Sequence, residues 1–179
     1  MRKLLMLSTL AVLLMLLTAG CFTDAEEYME RGDALAGEER YEEAIKEYGK
    51  AVKSDPKLAA AYLNRGAMYF KEGDMDSAVL DYCKAMDLDP DYTEAYYNRG
   101  LIYFKTFEHE KALADFDTAI ELDPVFAAAY CSRGYAYYDQ GENEKARSDF
   151  EKCIEISQDT ELTQFAEQML QKLKTPAGD

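Results

Sequence analysis

The sequence is poor in the side chains that usually carry catalysis and metal binding. It has one histidine, His109, and four cysteines among 179 residues. No acid, thiol or second histidine stands beside His109 at a recognisable catalytic spacing, so a solvated or packed turn residue is expected there. The cysteines show no metal-ligand spacing. The sequence therefore predicts a protein that is not an enzyme, with no catalytic residue, no metal and no cofactor.

Basic residues are also scarce, with 20 Lys and Arg against 35 Asp and Glu, which gives a formal charge of −15. Arg2 and Lys3 are the only charges in the first 20 residues, so the chain from Cys21 onward has 18 basic and 35 acidic residues, a charge of −17. This excess argues against nucleic acid as a partner and against direct attraction to anionic lipid heads. The simplest role of this excess of acidic residues is to keep the protein soluble.

The few prolines are regularly placed, and they reveal a repeat. Pro56, Pro90 and Pro124 lie 34 residues apart. Other columns share this period: Tyr28, Tyr62, Tyr96 and Tyr130; Gly32, Gly66, Gly100 and Gly134; Ala44, Ala78, Ala112 and Ala146; Tyr48, Tyr82, Phe116 and Phe150. A fixed period of this length predicts a repeat array.

Within each repeat, the spacing predicts two helices. The tyrosine and glycine columns are four residues apart, and a further apolar column follows after three, which puts all of them on one helix face. A second segment presents small, large and small residues, a pattern suited to packing against the glycine face. The proline then ends this second helix, because it disfavours α conformation in the residue before it. The predicted unit is helix, turn, helix.

These columns resemble the tetratricopeptide repeat, and the resemblance covers residues 25–160. It implies an all-α fold: a right-handed superhelix of four helix pairs (25–58, 59–92, 93–126 and 127–160) whose concave groove holds peptides or partner proteins. A capping helix over 161–174 and a disordered tail over 175–179 are expected to follow. Phe107 stands where Gly73 and Gly141 mark the turn, so a turn of another shape is expected there. Gln158 replaces the last proline, so a longer second helix is expected in the fourth pair.

A second stripe, mostly apolar, runs along each first helix, rotated by one residue from the packing stripe. The resemblance places it in the groove. The candidate peptide-binding residues are Met29, Leu63, Asn64, Phe70, Lys71, Tyr97, Asn98, Leu101, Phe104, Lys105, Tyr135 and Tyr138. The alternative is that these side chains only cover neighbouring helices.

Some members of the family bind C-terminal carboxylates with a clamp of basic and amide side chains on this face. Asn64 matches one amide of that clamp, but Asp33 stands where the other would be. Met29, Glu94 and Asn98 fill the basic positions. Carboxylate-clamp binding is therefore not predicted.

An arginine precedes each repeat glycine, at Arg31, Arg65, Arg99 and Arg133. One interpretation is a basic ladder for anions. The favoured one is pairing with the acids that recur in step in the second helices, Glu47, Asp81, Asp115 and Asp149.

The N-terminus has the features of an export signal. Arg2 and Lys3 precede an apolar run from Leu4 to Leu17, too short for a membrane-spanning helix, and small residues lead to Cys21. This resembles the bacterial lipoprotein cleavage box, although Thr18 stands where leucine is usual. The resemblance implies a signal peptide over 1–20, lipid attachment at Cys21 and a tether over 21–24; the alternative is an incidental cysteine. Thr23 and Glu26 fit a capping box for the first helix.

The predicted function is a membrane-anchored lipoprotein scaffold of the bacterial cell envelope that binds a protein or peptide in its groove. Such a scaffold would act in envelope assembly or as an adaptor; the alternative is a periplasmic chaperone for secreted or pilus-type clients. The residue after Cys21, Phe22, favours the periplasmic face of the outer membrane if the cell has two membranes. A homo-oligomer is left open but is not indicated. A disulfide between Cys131 and Cys153 stays open, because their stripes point differently.

Overall fold

The computed structural model describes residues 24–174. Within that range the chain forms nine α-helices and no β-strand. They are α1 (Asp24–Gly37), α2 (Tyr41–Ser54), α3 (Ala59–Glu72), α4 (Met75–Leu88), α5 (Thr93–Lys105), α6 (His109–Leu122), α7 (Ala127–Asp139), α8 (Asn143–Ile156) and α9 (Thr160–Lys174). The predicted signal peptide, Cys21, the Thr23 cap and the 175–179 tail lie outside the described residues. Asp24, assigned above to the tether, is already the first residue of α1.

Each odd-numbered helix from α1 to α7 packs against the helix that follows it, and the glycine column sets their close approach. A Cβ atom at Gly100 would lie 2.8 Å from Cε1 of Phe116, and one at Gly66 would lie 2.9 Å from Cε1 of Tyr82. Any larger residue would therefore force the aromatic ring or the helices to shift. The aromatic rings opposite these glycines are buried between alanines of the second helix, which form the core. The predicted helix-pair packing is confirmed.

The turn inside each pair has one common geometry, and here one prediction was wrong. Glu39, Gly73, Phe107 and Gly141 all have positive φ, between 59° and 86°. In the third pair, the amide of Glu108 donates to the carbonyl of Tyr103 at 2.8 Å, and Phe107 donates to Phe104 at 3.1 Å. This is the Schellman pattern that ends a helix with a left-handed residue. Phe107 thus adopts the glycine conformation instead of changing the shape of the turn.

The end of the array also differs from the sequence-based expectation. Helix α8 has 14 residues, the same length as α2, α4 and α6, so the loss of proline at Gln158 does not lengthen it. Helix α9 begins at Thr160, one residue before the predicted start, and Asp159 caps it. The carboxylate of Asp159 accepts hydrogen bonds from the amides of Glu161 and Leu162 at 2.8 and 3.2 Å.

A disulfide joins α7 to α8 within the fourth pair. The Cα atoms of Cys131 and Cys153 are 5.5 Å apart, and both residues are buried. The sequence left this bond open because the two columns face different ways on their own helices. The two helices approach so closely that both columns reach the shared interface. Cys83 is a free thiol.

Candidate functional site

The first helices of successive pairs contact one another along a shared surface. This surface is called here the first-helix face, and it is formed by the candidate peptide-binding residues of α1, α3, α5 and α7. The Asn64 side chain of α3 donates to the Asp33 carboxylate of α1 at 3.1 Å. The ammonium of Lys105 lies 5.3 Å from the ring centroid of Phe70. Between α5 and α7, the ring centroids of Phe104 and Tyr135 are 5.6 Å apart. These contacts connect α1 to α3, α3 to α5 and α5 to α7 along the face.

Some of the candidates are partly used in packing. Leu63 and Phe70 are half-buried against the core of the second pair, and Leu101 and Tyr97 against that of the third. Tyr97 also lies edge-on to Phe126 with ring centroids 4.9 Å apart. Met29, Asn98 and Tyr138 are half-buried as well, whereas Lys71, Lys105 and Tyr135 are exposed. These side chains therefore cover the core with part of their area and leave the rest at the protein surface. The alternative interpretation, that they cover neighbouring helices, holds for the buried part.

The N-terminal end of the first-helix face is polar. Asp33 accepts a hydrogen bond from the Tyr48 hydroxyl at 2.7 Å in addition to the one from Asn64. The pKa of Tyr48 is raised above its usual range, chiefly by burial and secondly by the hydrogen bond to Asp33. Asn64 is therefore already bonded within the protein, and an acid occupies the position at which a carboxylate clamp would need an amide.

The C-terminal end of the face is aromatic and contains a small pocket. The pocket has a volume of about 140 Å³, and its lining consists of Leu101, Phe104, Phe116, Cys131, Ser132, Tyr135, Leu162 and Phe165. Tyr135 stacks on Tyr138 with an interplanar angle of 22°, and its ring centroid lies 5.9 Å from that of Phe165. Three of the predicted groove residues thus come together here.

Sequence reasoning missed the contribution of α9 to this pocket. Residues 161–174 were predicted only as a capping helix, so Leu162 and Phe165 were not among the candidate residues. The 34-residue period continues into α9, however, and places Phe165 in the column of Tyr97 and Cys131. Counting one more period would have found it, because α9 occupies the position of a further first helix.

In three of the four repeats, the arginine pairs with the acid of the second helix. Arg65, Arg99 and Arg133 each donate from Nε and Nη2 to both carboxylate oxygens of Asp81, Asp115 and Asp149, at 2.7–2.8 Å. Arg133 also reaches Asp117 at 2.6 Å. The favoured interpretation is confirmed for these three.

The first repeat differs from this pattern. Arg31 pairs with Glu27 on its own helix, and Glu47 pairs with Lys50. Arg31 and Glu47 were expected to pair with each other, so that prediction was wrong for this repeat. The acid in the first repeat is a glutamate on a longer side chain, and Lys50 lies one turn away from it on the same helix.

His109 is packed between aromatic rings at the start of α6. Its ring centroid lies 5.5 Å from that of Phe104, and Nε2 is 3.8 Å from a carboxylate oxygen of Asp139. A larger, charged pocket of about 480 Å³ opens beside it, with Phe107, Glu108, Glu110, Lys111 and Gln140 in its lining. Across residues 24–174, no group of three potential metal ligands comes together, and no helix is long and apolar enough to span a membrane.

Comparison with known protein families identifies the repeat. The TPR repeat model matches residues 32–73 and 66–106, and the tetratricopeptide repeat model matches 93–126 and 127–159. The chain belongs to the tetratricopeptide repeat family. Together these matches span most of residues 24–174. Members of this family are protein-interaction scaffolds, and this tetratricopeptide repeat protein therefore has a fold suited to a protein or peptide partner.

Solved structures agree with this assignment. The crystal structure of MamA protein is 28% identical, with 84% of this chain and 88% of that chain covered and a TM-score of 0.70. The first TPR of Spaghetti (RPAP3), bound to the HSP90 peptide SRMEEVD, is 30% identical, with 68% and 97% covered and a TM-score of 0.60. Pseudomonas aeruginosa pilF, at 19% identity, shares the fold, with 84% and 69% covered and a TM-score of 0.75. None of the curated proteins matches the chain.

Proposed function

We propose that this protein is a lipid-anchored scaffold of the bacterial cell envelope that binds a protein or peptide segment on its first-helix face. The observation that carries the proposal is the aromatic C-terminal end of that face, where Tyr135 and Phe165 are each 37% exposed. Solvent-exposed aromatic side chains beside a formed apolar pocket are typical anchors of protein interfaces.

A solved relative supports peptide binding, but the present chain differs from it in a way that favours another peptide. The Spaghetti (RPAP3) domain binds the acidic peptide SRMEEVD. In the present chain, Asp33 places a carboxylate on the equivalent face and holds Asn64 in a hydrogen bond. Like charges across an interface disfavour binding. We therefore expect SRMEEVD not to bind this protein.

Two features support an envelope location. The basic start, the apolar run and Cys21 resemble a lipoprotein signal, as described above. The Cys131–Cys153 disulfide also favours an oxidising compartment, because disulfides are rare in cytosolic proteins. Acylation of Cys21 with two or three chains would hold the array stably at a membrane, since each buried CH₂ adds about 0.8 kcal/mol. The periplasmic face of the outer membrane is the favoured site in a cell with two membranes.

Crosslinking in the native envelope, followed by identification of the captured proteins, tests the proposal. One dominant partner is expected for a scaffold or adaptor, whereas many unrelated clients would favour the chaperone alternative. Crosslinking should decrease for Tyr97→Ala and Asn98→Ala, with helicity by circular dichroism unchanged. Lys84→Ala, on the exposed face of α4, is the matched control. Loss of capture with Lys84→Ala alone would place binding on the other side of the array and refute the proposal.

A further inference from the structure

The pocket at the C-terminal end of the first-helix face lies between α5, α7 and α9, and Phe116 of α6 also contributes to its lining. Leu101 and Phe104 come from α5, Tyr135 from α7, and Leu162 and Phe165 from α9. Its volume of about 140 Å³ is close to that of an apolar cavity that holds one benzene molecule, about 150 Å³. The pocket therefore has room for a single apolar side chain of leucine or phenylalanine size.

The pocket is open to solvent at its aromatic rim. Tyr135 and Phe165 are the rim rings, and both are more than a third exposed although each packs against other rings. On the opposite side, Phe165 lies edge-on to the buried Phe150, with ring centroids 6.1 Å apart. The rim is thus held from behind by the core, so an occupant would meet a preorganised surface.

The negative charge belongs to the protein as a whole and is not concentrated at the pocket. On the helices α5, α7 and α9, the exposed acids Glu94, Asp139, Glu161 and Glu167 stand beside the exposed lysines Lys105, Lys172 and Lys174. Over residues 24–174 as a whole, 18 basic and 34 acidic residues give a charge of −16. The long-range field of the protein therefore attracts cationic segments and repels anionic ones.

From these observations we infer that the partner is a basic segment that inserts one leucine- or phenylalanine-sized side chain into the pocket formed by α5, α7 and α9. This inference rests on the proposed function and names the chemistry of its partner. A fatty acyl chain fits less well, because the pocket accommodates only one side chain. A second copy of this chain is disfavoured because it would carry the same large negative charge.

Labelled synthetic peptides test the charge and the anchor separately. The first probe is a short capped peptide with one phenylalanine flanked by lysines and serines. In the second, serine replaces the phenylalanine, and in the third, glutamate replaces each lysine. Fluorescence anisotropy should show about tenfold or greater weakening for the second and no saturable binding for the third. Affinity for the first should also fall as salt rises. Equal binding of the first and third peptides, or of the first and second, would overturn the inference.

Protein variants locate the bound side chain. Phe165→Ala should weaken the first peptide about tenfold or more, whereas Phe165→Leu should retain most of the affinity. Phe107→Ala is the matched control, because it removes an exposed phenylalanine from a turn outside the pocket. In the unaltered protein, the NMR methyl signals of Leu101 and Leu162 should shift on titration, and those of the exposed Leu80 should not. Because this titration uses the unaltered protein, it does not depend on whether the variants fold. Methyl shifts confined to Leu80 would refute the pocket assignment.

The native partner distinguishes failure of this inference from failure of the proposed function. A captured partner that is lost with Tyr97→Ala but retained with Phe165→Ala would overturn the pocket inference and leave the scaffold function intact. A partner lost with both variants supports both. A partner that is lost only with Lys84→Ala would overturn both.

Discussion

Arg99 donates two parallel hydrogen bonds to Asp115, from Nε to Oδ2 at 2.8 Å and from Nη2 to Oδ1 at 2.7 Å. Asp115 is buried, and Arg99 is mostly covered. The hydrogen bond to Asp115 is the main cause that raises the pKa of Arg99 above its usual range, so the guanidinium stays charged. Because Arg65 and Arg133 repeat this geometry, the arginine connects the two helices of a pair in the second, third and fourth repeats.

Arg99→Met should therefore lower the free energy of unfolding by about 3–5 kcal/mol, since it leaves the Asp115 carboxylate buried without its partner. Urea unfolding followed by circular dichroism measures the change. Arg31→Met is the matched control: its pair with Glu27 is exposed, and exposed pairs contribute about 0–1 kcal/mol. Equal effects of the two substitutions, or a loss of partner affinity at unchanged stability, would contradict the structural role.

Phe107→Gly should stabilise the protein. Phe107 has φ of 63° and is 79% exposed, so its side chain gains little from burial while its backbone is strained. A left-handed conformation costs an L-residue with a side chain about 1–2 kcal/mol, which glycine avoids. We expect a gain of about 1 kcal/mol in the free energy of unfolding. Gly73→Ala, at the same turn position in the second pair, should produce the opposite change, and an unchanged midpoint for both would reject the strain argument.

Reduction of the Cys131–Cys153 disulfide should destabilise the C-terminal part of the array. The bond closes a loop with a sequence separation of 22 residues, and loops of this size contribute about 3 kcal/mol through the unfolded state. Urea unfolding with and without reductant should show this difference. Cys153→Ala should abolish the dependence on reductant, while Cys83→Ala should preserve it. An unfolding midpoint that reductant leaves unchanged in the wild-type protein would argue against the bond.

The helix pairs were predictable because the period, the glycine column and the prolines each describe local contacts that recur in every copy. Phe107 was not, because its left-handed conformation is imposed by the two helices that it joins and runs against its own preference. The sequence left the disulfide open for a related reason. Whether two columns on neighbouring helices meet depends on how closely the helices approach, and Gly134 sets that distance in the fourth pair.

The candidate site was predictable only in part. The stripe rule found Leu101, Phe104 and Tyr135, since they recur at fixed spacing on the first helices. It did not assign Phe165 to the site, because α9 lacks a second helix and was treated as a cap. It also did not show that Asn64 is bonded to Asp33, since a hydrogen bond between neighbouring helices depends on their relative register.

The predicted modification of Cys21 can be tested independently of any partner. If the N-terminal resemblance to a lipoprotein signal is correct, mass spectrometry of the mature protein should find an acylated cysteine as the first residue. Cys21→Ser should release the protein from the membrane fraction or leave it as an uncleaved precursor, because serine offers no thiol for the thioether. Cys83→Ser is the matched control and should leave fractionation unchanged, since Cys83 lies within α4. An unmodified N-terminus at Cys21, or an intact signal in the wild-type protein, would defeat the prediction. Stable anchoring needs more than one acyl chain, so the number of chains found would also decide whether the scaffold stays at the membrane surface.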